Sequence, residues 1–261
     1  MQRVPKIISP ARLYTAIVML LVVILLLIFH SPFLLWAVLG VAYLIGFYES
    51  YKLYNKQKAP ILFIAFAVFS WLWIYYFEPF VGVFLIFICL ASYQAYTKKG
   101  KITQALPFLY PTIPFIFLYL LYLEYSINAI IWLLFIVALS DSFAFFGGKI
   151  LGGKLFVNSQ FCATSPNKTK EGVLVGILIA TLVGSFVGLG VCGYFQSLIL
   201  SFIVSFASIF GDLYESFIKR EAQVKDSGVI FPGHGGMLDR LDGYFFGGIV
   251  LYALLNVWKT L

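Results

Sequence analysis

Residues 211–243 read GDLYESFIKREAQVKDSGVIFPGHGGMLDRLDG, and they concentrate charge in an otherwise apolar chain. Asp212, Glu215, Glu221, Asp226, Asp239 and Asp242 supply carboxylates, while Lys219, Arg220, Lys225 and Arg240 supply cations. Pro232-Gly233-His234-Gly235-Gly236 supplies a turn with exposed backbone. Just upstream, Ser201, Ser205, Ser208, Asp212, Glu215 or Ser216, and Lys219 recur at three- and four-residue steps, which places them on one face of a helix. An apolar helix with an inward polar stripe that ends in charge is the pattern of a membrane span that delivers side chains to a site at the bilayer boundary.

Composition agrees. The 261 residues are 62% hydrophobic, 19% aromatic and only 11% charged, and the mean hydropathy is +0.96. No soluble globular domain has that balance, so the fold class is an all-α integral membrane protein. The formal net charge of +7 is read as juxtamembrane Lys and Arg facing anionic headgroups. Nucleic acid is excluded as a partner, because no basic stripe is interleaved with aromatics in the way single-strand binders require. Cys89, Cys162 and Cys192 are odd in number and scattered, without metal-ligand spacing or a disulfide framework.

Apolar segments at 13–29, 33–48, 61–77, 80–96, 105–123, 128–147, 173–192, 194–212 and 239–258 make a polytopic bundle of about nine transmembrane helices. The first is read as a retained span, since His30-Ser31-Pro32-Phe33 after it lacks a small-x-small cleavage pattern. Of the 18 Lys and Arg residues, only Lys259 falls on the far side of this arrangement. The N-terminus is therefore expected in the cytoplasm, with the charged loops 148–172 and 213–238 on the same side. Residues 1–124 form an N-terminal helical region and 125–261 the catalytic one. Pro107, Pro111 and Pro114 interrupt the start of the fifth span, either as a kink or as a lipid-entry gap. The GxxxG pairs Gly184/Gly188 and Gly243/Gly247 suit packing within the bundle or, alternatively, a homodimer.

Asp141 ends the sixth span about two turns from the boundary, where a carboxylate needs a wet cleft or a cation. The loop Ser165-Pro166-Asn167-Lys168-Thr169-Lys170-Glu171-Gly172 offers hydroxyls and amines that suit phosphate oxygens, or else is a solvated basic loop. Asp239 and Asp242, three apart, share a helical face and can grip one cation. Oxygen-only ligands favour a hard ion such as Mg²⁺, and Asp212 converging there leaves room for a second cation. Gly233, Gly235 and Gly236 let amides approach an anion, and His234 is read as a phosphate partner in preference to a metal ligand.

Ser216, Lys219-Arg220, Lys225-Asp226, His234-Gly235-Gly236, Asp239-Arg240 and Asp242 stand in the order and spacing of the phosphatidate cytidylyltransferase signature, and the chain resembles that family over its C-terminal half. Upstream, Ser140 to Gly148, Ser165 to Gly172 and Gly211-Asp212 extend the likeness, with Asn167 and Lys170 departing from the family's loop sequence. The resemblance implies a membrane enzyme of the prokaryotic cytoplasmic membrane that joins CTP to phosphatidic acid, giving CDP-diacylglycerol and pyrophosphate with Mg²⁺. It implies metal binding by Asp212, Asp239 and Asp242, and a catalytic part for Lys219 and Arg220. By extension it suggests phosphate contacts from Ser216, Lys225, His234, Gly235, Gly236, Arg240, Ser165, Lys168 and Asp141. A CTP-dependent polyprenol kinase is the alternative enzyme. A transporter fits less well, because the acids cluster at one end of the spans and no internal repeat is present.

Overall fold

A computed structural model describes residues 10–231, 233 and 235–260 of the chain. Eight helices follow one another: α1 (Pro10–Phe29), α2 (Pro32–Asn55), α3 (Ile61–Tyr76), α4 (Pro79–Thr97), α5 (Thr112–Leu151), α6 (Lys170–Val187), α7 (Tyr194–Glu221) and α8 (Leu238–Lys259). Among the described residues there is no strand beyond two isolated bridges, Gln160 with Thr169 and Phe231 with Gly235. Among the described residues, six helical stretches are long and apolar enough to cross a membrane, and α1 and α3 contribute shorter apolar segments. Exposed Leu20, Phe84, Phe135, Leu178 and Phe202 belong to an apolar outer surface suited to lipid.

Local chemistry sets the helix ends. Ser31 caps α2 by accepting from the Leu34 amide at 3.3 Å, with Pro32 in the first turn where its missing N–H costs nothing. Thr169 caps α6 in the same way, accepting from the Gly172 amide at 3.1 Å.

The 40 residues of α5 are two arms joined at Ser126, whose φ of 66° and ψ of −178° are not helical. The chain reverses there. Tyr110, before the first arm, stacks edge-on against Tyr214 and Phe245, whereas Glu124 accepts from Tyr252 near the other end of α8. The second arm then starts beside Gly190, through an Asn128 side-chain hydrogen bond, and returns to the end where Gly148 packs on Thr169. The expected break between the fifth and sixth spans is thus made by one residue of left-handed φ.

The three prolines are all buried, so the proline-rich start of the fifth span is no gap facing lipid. Two 3-10 turns (Ile102–Gln104 and Leu106–Phe108) lead into α5. Their irregular backbone is satisfied internally: the Thr112 hydroxyl lies 2.8 Å from the Pro107 carbonyl, and Ser50 donates to the Tyr110 carbonyl at 2.6 Å. Non-helical backbone at this depth is tolerated because protein surrounds it.

The serine stripe of α7 faces inward as expected, with Ser197, Ser201, Ser205 and Ser208 fully buried. Trp132 donates to Ser201 at 2.9 Å and Ser197 donates to the Ser185 carbonyl at 2.6 Å, so these hydroxyls stitch α7 to α5 and α6. All four GxxxG glycines pack inside this one chain: Gly184 and Gly188 lie against Ser201, Ser197 and Trp132, and Gly243 and Gly247 against Val137, Leu133 and Val204.

The contacts sort the loops into two ends. Lys52, Lys56, Lys98, Lys101, Lys149, Lys168, Lys219 and Arg240 gather at the end that holds Asp212, while His30, Glu124, Gly190 and Lys259 lie at the other. Arg3 and Lys6 lie outside the described residues. Single cysteines replacing Lys99, Asn167 or Ser126 in a cysteine-free background test this division. Membrane-impermeant maleimide should label the first two from one side of sealed vesicles and Ser126→Cys from the other, and labelling of positions 99 and 126 from the same side would refute the two-ended arrangement.

Candidate active site

The polar end of α7 meets the first turn of α8 and the loop before α6. On α7, Asp212 forms an ion pair with Lys168 from that loop and lies 3.4 Å from the Ser216 hydroxyl. Two turns on, Lys219 is held between Glu215 and Asp239, with 2.6 Å to Asp239 Oδ1. Glu215 is 0% exposed and Lys219 is 8% exposed. Such a buried triad exists only because each charge has a partner, since an unpaired one would cost several kcal/mol.

Asp141, from the second arm of α5, lines a cavity of about 420 Å³ together with Phe145, Asn167, Lys168, Thr169 and Asp212. Asp242 lies within electrostatic reach of Asp212 and Asp141, and Arg240 within reach of Asp141. Asp141 and Asp212 therefore face one cavity from two helices beside Lys168, with Asp242 and Arg240 of α8 within electrostatic reach. The Arg240 Nε is buried without a hydrogen-bond partner among the described residues.

The loop before α8 departs from its expected use. Gly233 and Gly235 have φ of 78° and 83°, as a tight glycine turn requires. The Gly236 amide, expected to await an external anion, and the Met237 and Leu238 amides after it are given to the protein's own carboxylates. Asp239 Oδ2 accepts from the Gly236 amide at 2.7 Å and the Ser227 amide at 2.8 Å. Glu49, on α2, accepts from the Met237 amide at 3.1 Å and the Leu238 amide at 3.0 Å. The Ser227 hydroxyl lies 2.9 Å from both carboxylates. Gly236 leaves no space for a side chain, because a Cβ there would strike Ser227 and Glu49.

The remaining expected residues are dispersed. Arg220 is exposed and donates to the Val224 carbonyl at 3.2 Å, and Lys225 is exposed on the loop, so neither reaches the cavity. Ser165 supports the Lys168 turn by accepting the Lys168 amide through its carbonyl at 3.1 Å. His234 lies outside the described residues. Asp239 shares its helix turn with Asp242 as expected, yet its two oxygens are occupied by Lys219 and by loop donors. Among the described residues, no group of three or more His, Cys, Asp or Glu is already gathered as a metal cage.

Two carboxylates escaped the sequence reading. Glu171, fully buried, accepts the Gly153 and Phe156 amides at 3.0 and 3.2 Å and folds the loop 152–156 onto the start of α6. Glu49 stands just beyond the second apolar segment, 33–48. The signal available for both is the one that flagged Asp141, an acid at the edge of a span.

The model of the "Cytidylyltransferase family" matches residues 10–258. A Helicobacter pylori protein named "Phosphatidate cytidylyltransferase" is 43% identical over 255 residues, covering 95% of this chain and 94% of that protein. A Bacillus subtilis protein of the same name is 37% identical over 139 residues, or 52% of this chain and 50% of its own length. The Arabidopsis thaliana protein "Phosphatidate cytidylyltransferase 4, chloroplastic" is 43% identical over 123 residues, covering 46% of this chain and 30% of that protein.

Gly236→Ala tests the crowding at the loop. The added methyl should destabilise the fold by about 1–3 kcal/mol through forced displacement of Ser227 and Glu49. Gly193→Ala, at a φ of −66° with open space around it, should stay within about 0.5 kcal/mol of the parent. Thermal melting of both variants in detergent measures the difference, and equal melting points would refute the close approach at Gly236.

Proposed function

The chain belongs to the cytidylyltransferase family and has phosphatidate cytidylyltransferase activity, and from that premise we propose that the cavity beside Asp141, Lys168 and Asp212 is where CTP meets its lipid acceptor. The observation that carries this is that Asp141 and Asp212 line one cavity with Lys168 and the exposed Phe145, while Asp242 lies within electrostatic reach of both acids. A headgroup placed there keeps its acyl chains on the apolar side.

A phosphate oxygen of the lipid attacks the α-phosphorus of CTP, the new P–O bond forms, and the bond to the β-phosphate breaks to release pyrophosphate. The attacking oxygen is already ionised near neutral pH. No protein nucleophile and no strong base are needed, so the residues act by positioning and by balancing charge. Lys168, paired with Asp212, and Arg240 carry the positive charge nearest the acids, and Ser216 adds a hydroxyl. Lys219 is already balanced between Glu215 and Asp239, so it supports the acid-bearing turn of α8 in place of reaching outward.

The donor set suits Mg²⁺. Asp212, Asp242 and the adjacent Asp141 outnumber the nearby cations Lys168 and Arg240, and Mg²⁺ takes one or two protein carboxylates while phosphates and water complete its shell. A cage of three or more protein ligands is not required by that habit. When bound, the ion would offset phosphate charge and ease departure of pyrophosphate. Placement of this end at the cytoplasmic face is supported by the gathering of Lys and Arg there.

Purified protein given labelled CTP, phosphatidic acid and Mg²⁺ should yield pyrophosphate and lipid-linked cytidylyl label in equal amounts. CDP with a phosphorylated alcohol would instead point to a lipid kinase. Asp242→Asn keeps size and removes charge, so it should fold and insert yet lose about a hundredfold or more of turnover. Glu124→Gln, at the other end of the bundle, should keep near-normal turnover. Full activity of Asp242→Asn at limiting Mg²⁺ would remove Asp242 from the ion-binding set.

A further inference from the structure

Before Asp141 the chain has three acids, Glu49, Glu78 and Glu124. Glu78 sits at the start of α4 and Glu124 beside Tyr252, both at the end away from the cavity. Glu49 alone of the three reaches the site end, and it is 5% exposed. Its carboxylate accepts the Met237 and Leu238 amides and lies 2.9 Å from the Ser227 hydroxyl, across a sequence separation of 178 to 189 positions. Backbone closes around it, since a side chain at Gly228 or Gly236 would occupy the same space.

What Glu49 holds is the point where α8 begins. Leu238 starts the helix, and Asp242 follows one turn later, so the place of the Asp242 carboxylate opposite Asp212 depends on the depth at which that first turn is seated. Other donors of α2 fix the same level: Ser50 binds the Tyr110 carbonyl at 2.6 Å, and the Tyr54 hydroxyl lies 2.9 Å from that of Tyr214 on α7. Helix α2 thereby references α7 and α8 to each other without touching the cavity. Glu49 and Asp239 share the Ser227 hydroxyl, which has one hydrogen to give, so the two carboxylates are coupled through it.

We propose that Glu49 is a positioning residue for cytidylyl transfer: its carboxylate, gripping the amides of Met237 and Leu238 and the hydroxyl of Ser227, sets α8 against α7 so that Asp242 faces Asp212. The proposal rests on the cavity being the place of reaction. It assigns a catalytic dependence to the N-terminal half of the chain, which the signature residues do not cover. Small displacements of reacting groups lower rate much more than ground-state binding, so the loss appears in kcat.

The test compares wild type, Glu49→Gln, Ser227→Ala, the double variant and Glu78→Gln as purified full-length proteins, with pyrophosphate release measured against CTP concentration and corrected for folded fraction. A wild-type protein without pyrophosphate release would defeat the functional reading itself, separately from the role of Glu49. Glu49→Gln places an amide NH₂ against N–H donors, and kcat should fall by about ten- to a hundredfold while the KM for CTP moves less than about threefold. Ser227→Ala should lower kcat in the same sense by about three- to tenfold, and the double variant should fall no further than Glu49→Gln by itself, because both act through one network. Glu78→Gln should match wild type. A merely structural Glu49 would lower melting temperature and yield but leave kcat per folded molecule within about twofold, and that result overturns the proposal. If Glu49→Gln does not fold, Ser227→Ala decides: unchanged kcat overturns the proposal, and a selective kcat loss sustains it.

Discussion

The first turn of α8 is held by carboxylates at both of its edges, and the rest of the site is arranged around keeping those charges balanced. Asp239 binds Lys219, Lys219 binds Glu215, and Ser227 links Asp239 to Glu49. The chain of contacts runs from α7 through α8 and its preceding loop to α2. At the edge of a low-dielectric bundle each polar member depends on the partner beside it. The serine stripe above it performs the uncharged part of the same task, and Asp212, paired with Lys168, closes the set on the side of α6.

Much of this was legible from residue types alone. Composition requires a membrane, the three- and four-residue serine spacing requires an inward α7 face, and the one-sided Lys and Arg predict which loops share an end. The pairing of Glu215 with Lys219 follows from their four-residue spacing. Ser126 illustrates a partial success: a break was expected near it from the pause in hydropathy, but nothing in a serine foretells that one residue of left-handed φ suffices to turn the chain.

The grip of Glu49 was not legible, and the reason is physical. Its partners at 237 and 238 are backbone amides, which every residue except proline carries, so no side-chain pattern marks them. The glycines of 233–236 are expected from sequence to present amides to a substrate phosphate, and the Gly236 amide instead meets Asp239. Which anion depends on tertiary distance, and the protein's own carboxylates arrive first. Arg220 and Lys225 show the converse, in that charge within a motif does not say which way a side chain points at a helix end.

The glycines between α6 and the second arm of α5 have a mechanical consequence. Gly172 and Gly176 bring α6 against the carbonyls of Ala144 and Ser140, backbone on backbone, with no layer of side chains able to shift rotamer between them. The two helices make a stiff lever. Against α7 that lever is pinned at the far end, where Gly184 and Gly188 seat Ser201 and Ser197. Near the cavity it is fastened by Val173, Ile177 and Ile209, with Phe161 and Leu213 at the margin, and by the Lys168 to Asp212 ion pair. The two ends of the α6–α7 seam are thus closed by different means: glycine against serine at the far end, and a few apolar side chains with one ion pair beside the cavity.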